Sequence, residues 1–389
     1  MKKPLLLAAI SLVAILLLAG CGGGGSTAAE ADASAQQAAE AAENPQQTTA
    51  ETITDEESGN EASVPAETTT EASDLGGSLE ADGTSGDKLP QRSSEPAAVS
   101  GSPTVYFTSD ISAEGLVRIY EALGWTPSGK TAVKISTGEP PASNYLRPEL
   151  IGDLVQKLDG TIVECNTAYG GSRASSAMHR QVAEDHGFTA IADFDLMDEE
   201  GEVEWPVTGG SRLDKIIVGS HAENYTDWVI LSHFKGHAMA GFGGAIKNVG
   251  IGISSPSGKV YVHSAGTRTS GSIMHSDQDE WLEALAEMVS GFRDHVGEEH
   301  IIYINVMNRL SVDCDCDGNP DEPDMHDIGI LASFDPVALD QACVDLVYQA
   351  QDSEALVNRI ESRNGIHTLE HAEEIGLGSR TYELVSIDE

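Results

Sequence analysis

From Gly22 to Ser100 the chain has no phenylalanine, tyrosine, tryptophan or cysteine. Against 16 aspartates and glutamates that stretch carries only two cationic side chains, Lys88 and Arg92. Alanine, serine, threonine, glutamate, glutamine and glycine dominate it. Such a segment cannot bury enough apolar surface to offset chain entropy, and its like charges repel one another. Residues 21–102 therefore read as an acidic, disordered linker. Positive charge is scarce everywhere, with 22 lysines and arginines against 63 acids and a net charge of −41. That balance excludes nucleic acid as a partner and argues against adhesion to anionic lipid through the protein surface.

What precedes the linker is different. Lys2 and Lys3 are followed by an apolar run from Pro4 to Leu18, closed by Leu18-Ala19-Gly20-Cys21. The run is short for a transmembrane helix and has the length of a signal-peptide core. Small residues directly ahead of a cysteine resemble the bacterial lipobox. That resemblance implies a signal peptide over residues 1–20, cleavage before Cys21 and a lipid anchor on its sulfur, which makes the membrane a partner and the location extracytoplasmic. No twin-arginine pair is present, so export in the unfolded state is expected.

From about Pro103 onward, apolar runs and regular punctuation appear. Strands are expected at Val105–Phe107, Ala132–Ile135, Thr161–Val163, Ile216–Val218, Trp228–Leu231, Ile301–Ile304 and Ile328–Leu331. Apolar residues at three- and four-residue spacing predict helices at Ala113–Leu123, Pro148–Leu158, Trp281–Phe292, Pro336–Tyr348 and Glu354–Ile360. Ser112 and Asp335 stand as N-caps, the latter followed by Pro336. Short buried strands alternating with amphipathic helices predict one α/β domain over 103–389. Its sheet is expected to be mainly parallel and doubly wound, with helices on both faces.

In such sheets ligands bind at the carboxyl ends of strands, so the loops there carry the search for a site. Several combine glycine with Arg, His, Lys or Tyr. Arg147 follows the second strand, and Tyr169 and Arg173 follow the third. Ser232-His233-Phe234-Lys235-Gly236-His237 and then Gly241-Phe242-Gly243-Gly244 with Lys247 follow the Trp228 strand. There is no His-Glu-X-X-His and no Walker ending, which sets aside a zinc protease and a P-loop. Arg147, Tyr169, Arg173 and the backbone of Gly241, Gly243 and Gly244 are expected to hold a small anion. His233, His237 and His263 are candidate metal ligands, and His237, Lys247 and His263 candidate catalytic groups.

The run SHFKGHAMAGFGGAIKNVGIG, from Ser232 to Gly252, resembles the family called domain of unknown function 362. Tyr145-Leu146-Arg147-Pro148, Asn166-Thr167-Ala168-Tyr169 with Arg173, and Asp327–Ser333 followed by Asp335-Pro336 resemble it too. Many relatives carry a ferredoxin-like, cysteine-rich insert. Here no cysteine lies between His263 and Asp279, so an iron–sulfur cluster is not expected. A shorter likeness joins His237, Lys247 and His263, with Gly-Phe-Gly-Gly ahead of the lysine, to the lactate racemase family. It implies Lys247 as the attachment point of a nickel-pincer nucleotide, His263 as metal ligand and His237 as acid–base group. Ala245 and Asn248 depart from that pattern, and a chain exported unfolded is a poor carrier for a cytoplasmic cofactor.

A second candidate metal site lies at Asp313-Cys314-Asp315-Cys316-Asp317-Gly318 with Asp324, whose alternating aspartates follow a calcium-loop pattern except for Pro320. Cys314 and Cys316 with His326 form an alternative thiolate set, since Cys-X-Cys spacing is poor for bridging its own pair. Divalent nickel, zinc or calcium are the metals these groups suit. The sequence thus points to an isomerase- or racemase-like protein with a metal- or anion-binding site. A non-catalytic binder of a metal or small anion is the alternative, and iron–sulfur or thiol redox work a third.

Overall fold

The computed structural model describes residues 101–274 and 277–388. The signal segment, Cys21, the linker up to Ser100 and His275 lie outside the described residues.

Valine- and isoleucine-rich runs form strands and the amphipathic stretches form helices, as their periods dictate. In chain order these are β1 (Thr104–Thr108), α1 (Ala113–Ala122), β2 (Thr131–Lys134), α2 (Pro148–Lys157), β3 (Thr161–Glu164), α3 (Ser176–Asp185) and β4 (Phe194–Leu196). A hairpin of β5 (Glu202–Pro206) and β6 (Lys215–Gly219) leads into β7 (Asp227–His233). The short ribbon β8 (Lys235–His237) and β9 (Gly241–Gly243) follows, then α4 (Ala245–Gly250), α5 (Pro256–His263) and α6 (Gln278–Val296). The chain finishes with β10 (Ile301–Met307), β11 (Gly329–Ser333), α7 (Pro336–Gln349), α8 (Glu354–Ser362), α9 (His367–Glu374) and β12 (Glu383–Ser386).

Eight strands make one sheet in the order β12-β1-β11-β10-β7-β2-β3-β4. The run from β10 through β7, β2 and β3 to β4 is parallel throughout. β11 runs against both its neighbours, β1 and β10, while β12 adds to β1 in parallel. Side chains alternate between the two faces, and both faces are buried. Trp228 and Ile230 enter one core with Tyr303 and Phe292, whereas Val229 and Leu231 enter the other with Ile302, Ile304 and Leu154. Helices thus cover both sides, the arrangement that continuous apolar strands require.

Helix starts follow their caps. The Ser112 hydroxyl accepts from Gly115 N at 3.0 Å, and Asp335 accepts from the amides of Val337 and Ala338, each at 2.9 Å. Two expectations need correction. The Ile216–Val218 run pairs with β5 in a separate two-stranded ribbon rather than joining the main sheet. Cys314 and Cys316 are joined by a disulfide, because the turn at 314–317 brings their Cα atoms to 5.3 Å, within normal bridging distance.

Candidate functional site

β2, β3 and β7 end side by side, and their last residues open into a cavity of about 320 Å³. Lys134 closes β2, Glu164 closes β3, and Ser232 and His233 close β7. The ribbon β8–β9, α4, the end of α5 and the Cys314–Cys316 loop form the other walls. Tight backbone approaches fix this frame. A side chain on Gly236 would meet the Val312 carbonyl oxygen at 2.3 Å, so only glycine lets β8 lie against the cysteine loop. Asp340 accepts from the first amides of α4, Ala245 N at 2.8 Å and Ile246 N at 3.0 Å, and thereby aims a helix that carries Lys247 and Asn248. Burial pushes the Asp340 carboxyl up to about 6 despite those amides.

Five cationic side chains line the cavity (Lys134, Arg173, Lys235, Lys247 and Lys259) against the two carboxylates of Glu164 and Asp315. Both carboxylates are already engaged. Glu164 accepts from Thr137 N at 2.9 Å and from His179 at 2.9 Å, and lies 3.7 Å from Lys134 and 3.8 Å from Arg173. Burial alone would raise its pKa, but Lys134, His179 and Arg173 hold it well below the usual range. Asp315 meets Lys235 at 2.7 Å and His233 at 2.8 Å, which overrides the burial that would otherwise raise it. Glu139, outside the cavity wall, binds Arg173 Nε at 3.0 Å and orients that guanidinium, whose far end donates to the Tyr169 hydroxyl at 3.0 Å.

Positive charge is left over. Lys134 donates to the Ile135 carbonyl and, at 3.0 Å, to Asn248 Oδ1. Lys259 donates to the Ser254 carbonyl at 2.5 Å. Lys247, half-buried, has no hydrogen bond or ion pair among the described residues. Burial, then repulsion from Lys235, pushes its amine down to about 7, and burial pushes Lys134 down to about 8. Lys259 is lowered as well, again chiefly by burial. Crowded, poorly solvated cations of this kind create a site that favours an incoming anion.

The histidines divide by what their nitrogens meet. His233 has Nδ1 on Asp315 and Nε2 2.6 Å from the Asn308 carbonyl, so neither nitrogen is available to a metal. His237 accepts at Nδ1 from the amides of Met239, at 3.2 Å, and Ala240, at 2.9 Å. Burial and the charge of Lys247 keep its ring neutral, with a pKa well below the ordinary value. A neutral ring that accepts at Nδ1 carries its proton on Nε2, which makes His237 a hydrogen-bond donor at the cavity wall. His263, in the last turn of α5, stacks on Trp281 with centroids 5.0 Å apart, and His237 lies 6.5 Å from the same indole.

A ring nitrogen of His237 and the sulfurs of Cys314 and Cys316 lie within 4.8 Å of one another. The imidazole beside the cysteines is therefore His237. His326 instead binds Asp352 at 2.8 Å on the surface. These donors do not fit nickel or zinc as they stand, because the sulfurs are bonded to each other and the ring lone pair is taken by backbone amides. The calcium pattern is not assembled either. Asp315 is turned to Lys235 and His233, Asp313 to Arg359 at 3.4 Å, Asp317 to Asn319 N, and Asp324 is exposed.

Tyr169, Arg173, His233, His237, Gly243, Gly244, Lys247 and His263 thus come together around one cavity. Arg147 and Gly241 do not. Arg147 stacks on Tyr145 at 3.8 Å and donates to the Ser143 carbonyl, and Gly241 backs onto α8. Lys134, Glu164, Lys235, Lys259 and Asn248 also line the cavity, though the sequence assigned none of them to the site. The signal for two of them was present, since a lysine inside Ala132-Val133-Lys134-Ile135 or beside Val260-Tyr261-Val262 breaks an otherwise apolar run.

The family model described as "Domain of unknown function (DUF362)" matches residues 131–345, more than half of the chain. The chain belongs to the DUF362 family. No curated protein matches it. Among solved structures it is similar to the lactate racemase apoprotein from Thermoanaerobacterium thermosaccharolyticum, at 14% identity and a TM-score of 0.35. That alignment covers 52% of this chain and 50% of the other, so the likeness spans about half of each. The whole cavity, from Lys134 to Cys316, falls inside the DUF362 match.

Proposed function

We infer that this DUF362 protein binds a small anionic molecule in the strand-end cavity and performs acid–base chemistry on it, in the manner of an isomerase or racemase. The observation that carries the reading is Lys247, an unpaired amine poised near neutrality among four other cations that line the same cavity. Arg173, Lys134 and Lys259 would hold the ligand's carboxylate or phosphate. Lys247, close to half-protonated at neutral pH, can remove or return a proton beside it. His237 Nε2–H is placed to donate to an oxygen on which charge develops, as a neutral imidazole does in other proton-transfer enzymes. No step is routed through a metal. With the lipobox-like leader, the reading places this chemistry outside the cytoplasm, tethered at Cys21 to the membrane.

The test is calorimetric titration of the purified chain with lactate, malate, pyruvate and inorganic phosphate, followed by NMR of the bound carboxylates in D₂O. Binding that brings Cα deuterium exchange, with both abolished in Lys247→Gln, is the expected result. Saturable binding without exchange would make the protein a capture protein for a small anion. If none of the probes binds, the reading fails.

A further inference from the structure

The disulfide has a setting that acid–base chemistry does not use. Cys314, buried, and Cys316, half-buried, both line the cavity rather than the outer surface. Their loop is held from three sides. Asp315, between them, is pinned by Lys235 and His233. The backbone bonds Glu139 N to the Asp315 carbonyl at 2.7 Å and Ala142 N to the Gly318 carbonyl at 2.9 Å. Gly236 N donates to the Ser311 carbonyl at 2.8 Å. Reduction would therefore leave both sulfurs at the cavity wall. Stabilisers of a thiolate are at hand: Cys316 N points at Cys314 Sγ at 3.3 Å, the His237 ring is within 4.8 Å, and Lys235 and Lys247 share the cavity. Cationic surroundings and amide donors are what make a cysteine pair reactive. The two other described cysteines, Cys165 and Cys343, are buried and free.

We propose that Cys314 and Cys316 form a redox-active pair that exchanges with small, carboxylate-bearing thiols and disulfides entering the cationic cavity. In the reducing direction a ligand thiolate attacks one sulfur, the Cys314–Cys316 bond breaks, and the other cysteine leaves as a thiolate. A second ligand thiolate attacks the resulting mixed disulfide. The ligand disulfide departs, and two electrons rest on the protein as two thiols. The reverse sequence reduces a small disulfide. The cavity selects by charge, since anionic reactants meet an excess of lysine and arginine.

The experiment uses the full chain carrying Cys21→Ser, so that the N-terminal sulfur is silent. In air the native protein should give no reaction with Ellman's reagent. After dithiothreitol and gel filtration it should give two thiols, with an unchanged circular dichroism spectrum and none in Cys314→Ser/Cys316→Ser. Reoxidation by oxidised glutathione should exceed that by cystamine at least tenfold, relative to the same ratio for a free cysteine peptide. Lys247→Gln should shrink that preference. Thiols that appear only under denaturant, or equal relative rates for the anionic and cationic disulfides, would overturn the proposal. Anion binding measured on the double serine variant keeps the two readings apart: if it persists there while the reduced protein with both cysteines fails to exchange, only the redox proposal is lost.

Discussion

At the scale of single residues, Lys247 is the group on which the site turns. Its amine is lowered to about 7 by burial and by its cationic neighbours, and a bound anion relieves part of that penalty. Below pH 7 the amine is already protonated and affinity should be flat. Above pH 7 binding must take up a proton, so affinity should fall by up to about tenfold per pH unit. Titrations at pH 8 in buffers of different ionisation enthalpy should report net proton uptake, and less of it in Lys247→Met. A flat profile from pH 6 to 9 would remove Lys247 from the site. The lysine, His233, His237, Tyr169 and Arg173 could be picked out in the sequence because glycine-rich loops after strands announce themselves, whereas His263 ends a helix and was marked by its spacing from Lys247. Arg147 was misplaced because loop membership says nothing of direction, and its guanidinium turns to Tyr145. Lys134 was overlooked because its aliphatic stem fits a buried strand as well as valine does.

At the scale of elements, Glu287 of α6 clamps the chain ahead of β6. Its carboxylate accepts from the amides of Ser211 at 2.7 Å, Arg212 at 2.9 Å and Leu213 at 2.8 Å, and is 3.3 Å from His371 of α9. Burial alone would raise it, but these donors hold it at about 2. Its contribution to stability is therefore complete above the ordinary glutamate range and lost as pH falls through about 2. Glu287→Ala should cost on the order of 2–4 kcal/mol, read as a lower urea midpoint at pH 7, because three amides lose a charged acceptor. Glu287→Gln should cost less. Strands and long helices could be read directly from their periods, but pairing could not. Ile216–Val218 looks like any central strand, yet it joins β5, since a three-residue apolar run carries no record of its partner.

At the scale of the molecule, an acidic chain of net charge −41 encloses a cavity with more cations than carboxylates. The leader predicts that Cys21→Ser will move the protein from the membrane pellet to the soluble extracytoplasmic fraction and abolish labelling by radioactive palmitate. If the variant still sediments with membranes, Cys21 is not what holds it there. The five crowded cations have a practical meaning as well. Lys134 and Lys247 bind protons less readily in the fold than in the unfolded chain, so the empty protein should gain stability as pH rises through about 7 and 8 toward the ordinary lysine range. An anion in the cavity supplies the same relief at constant pH. Phosphate or sulfate at a hundredfold excess over its dissociation constant would add about 2.7 kcal/mol, by simple mass action. Melting temperature at pH 7 should therefore rise from chloride to phosphate at matched ionic strength, and the rise should shrink in Lys247→Met. The choice of buffer then becomes a choice of ligand: a preparation purified in phosphate or citrate arrives with its site already filled, and a weak natural substrate would be missed in it.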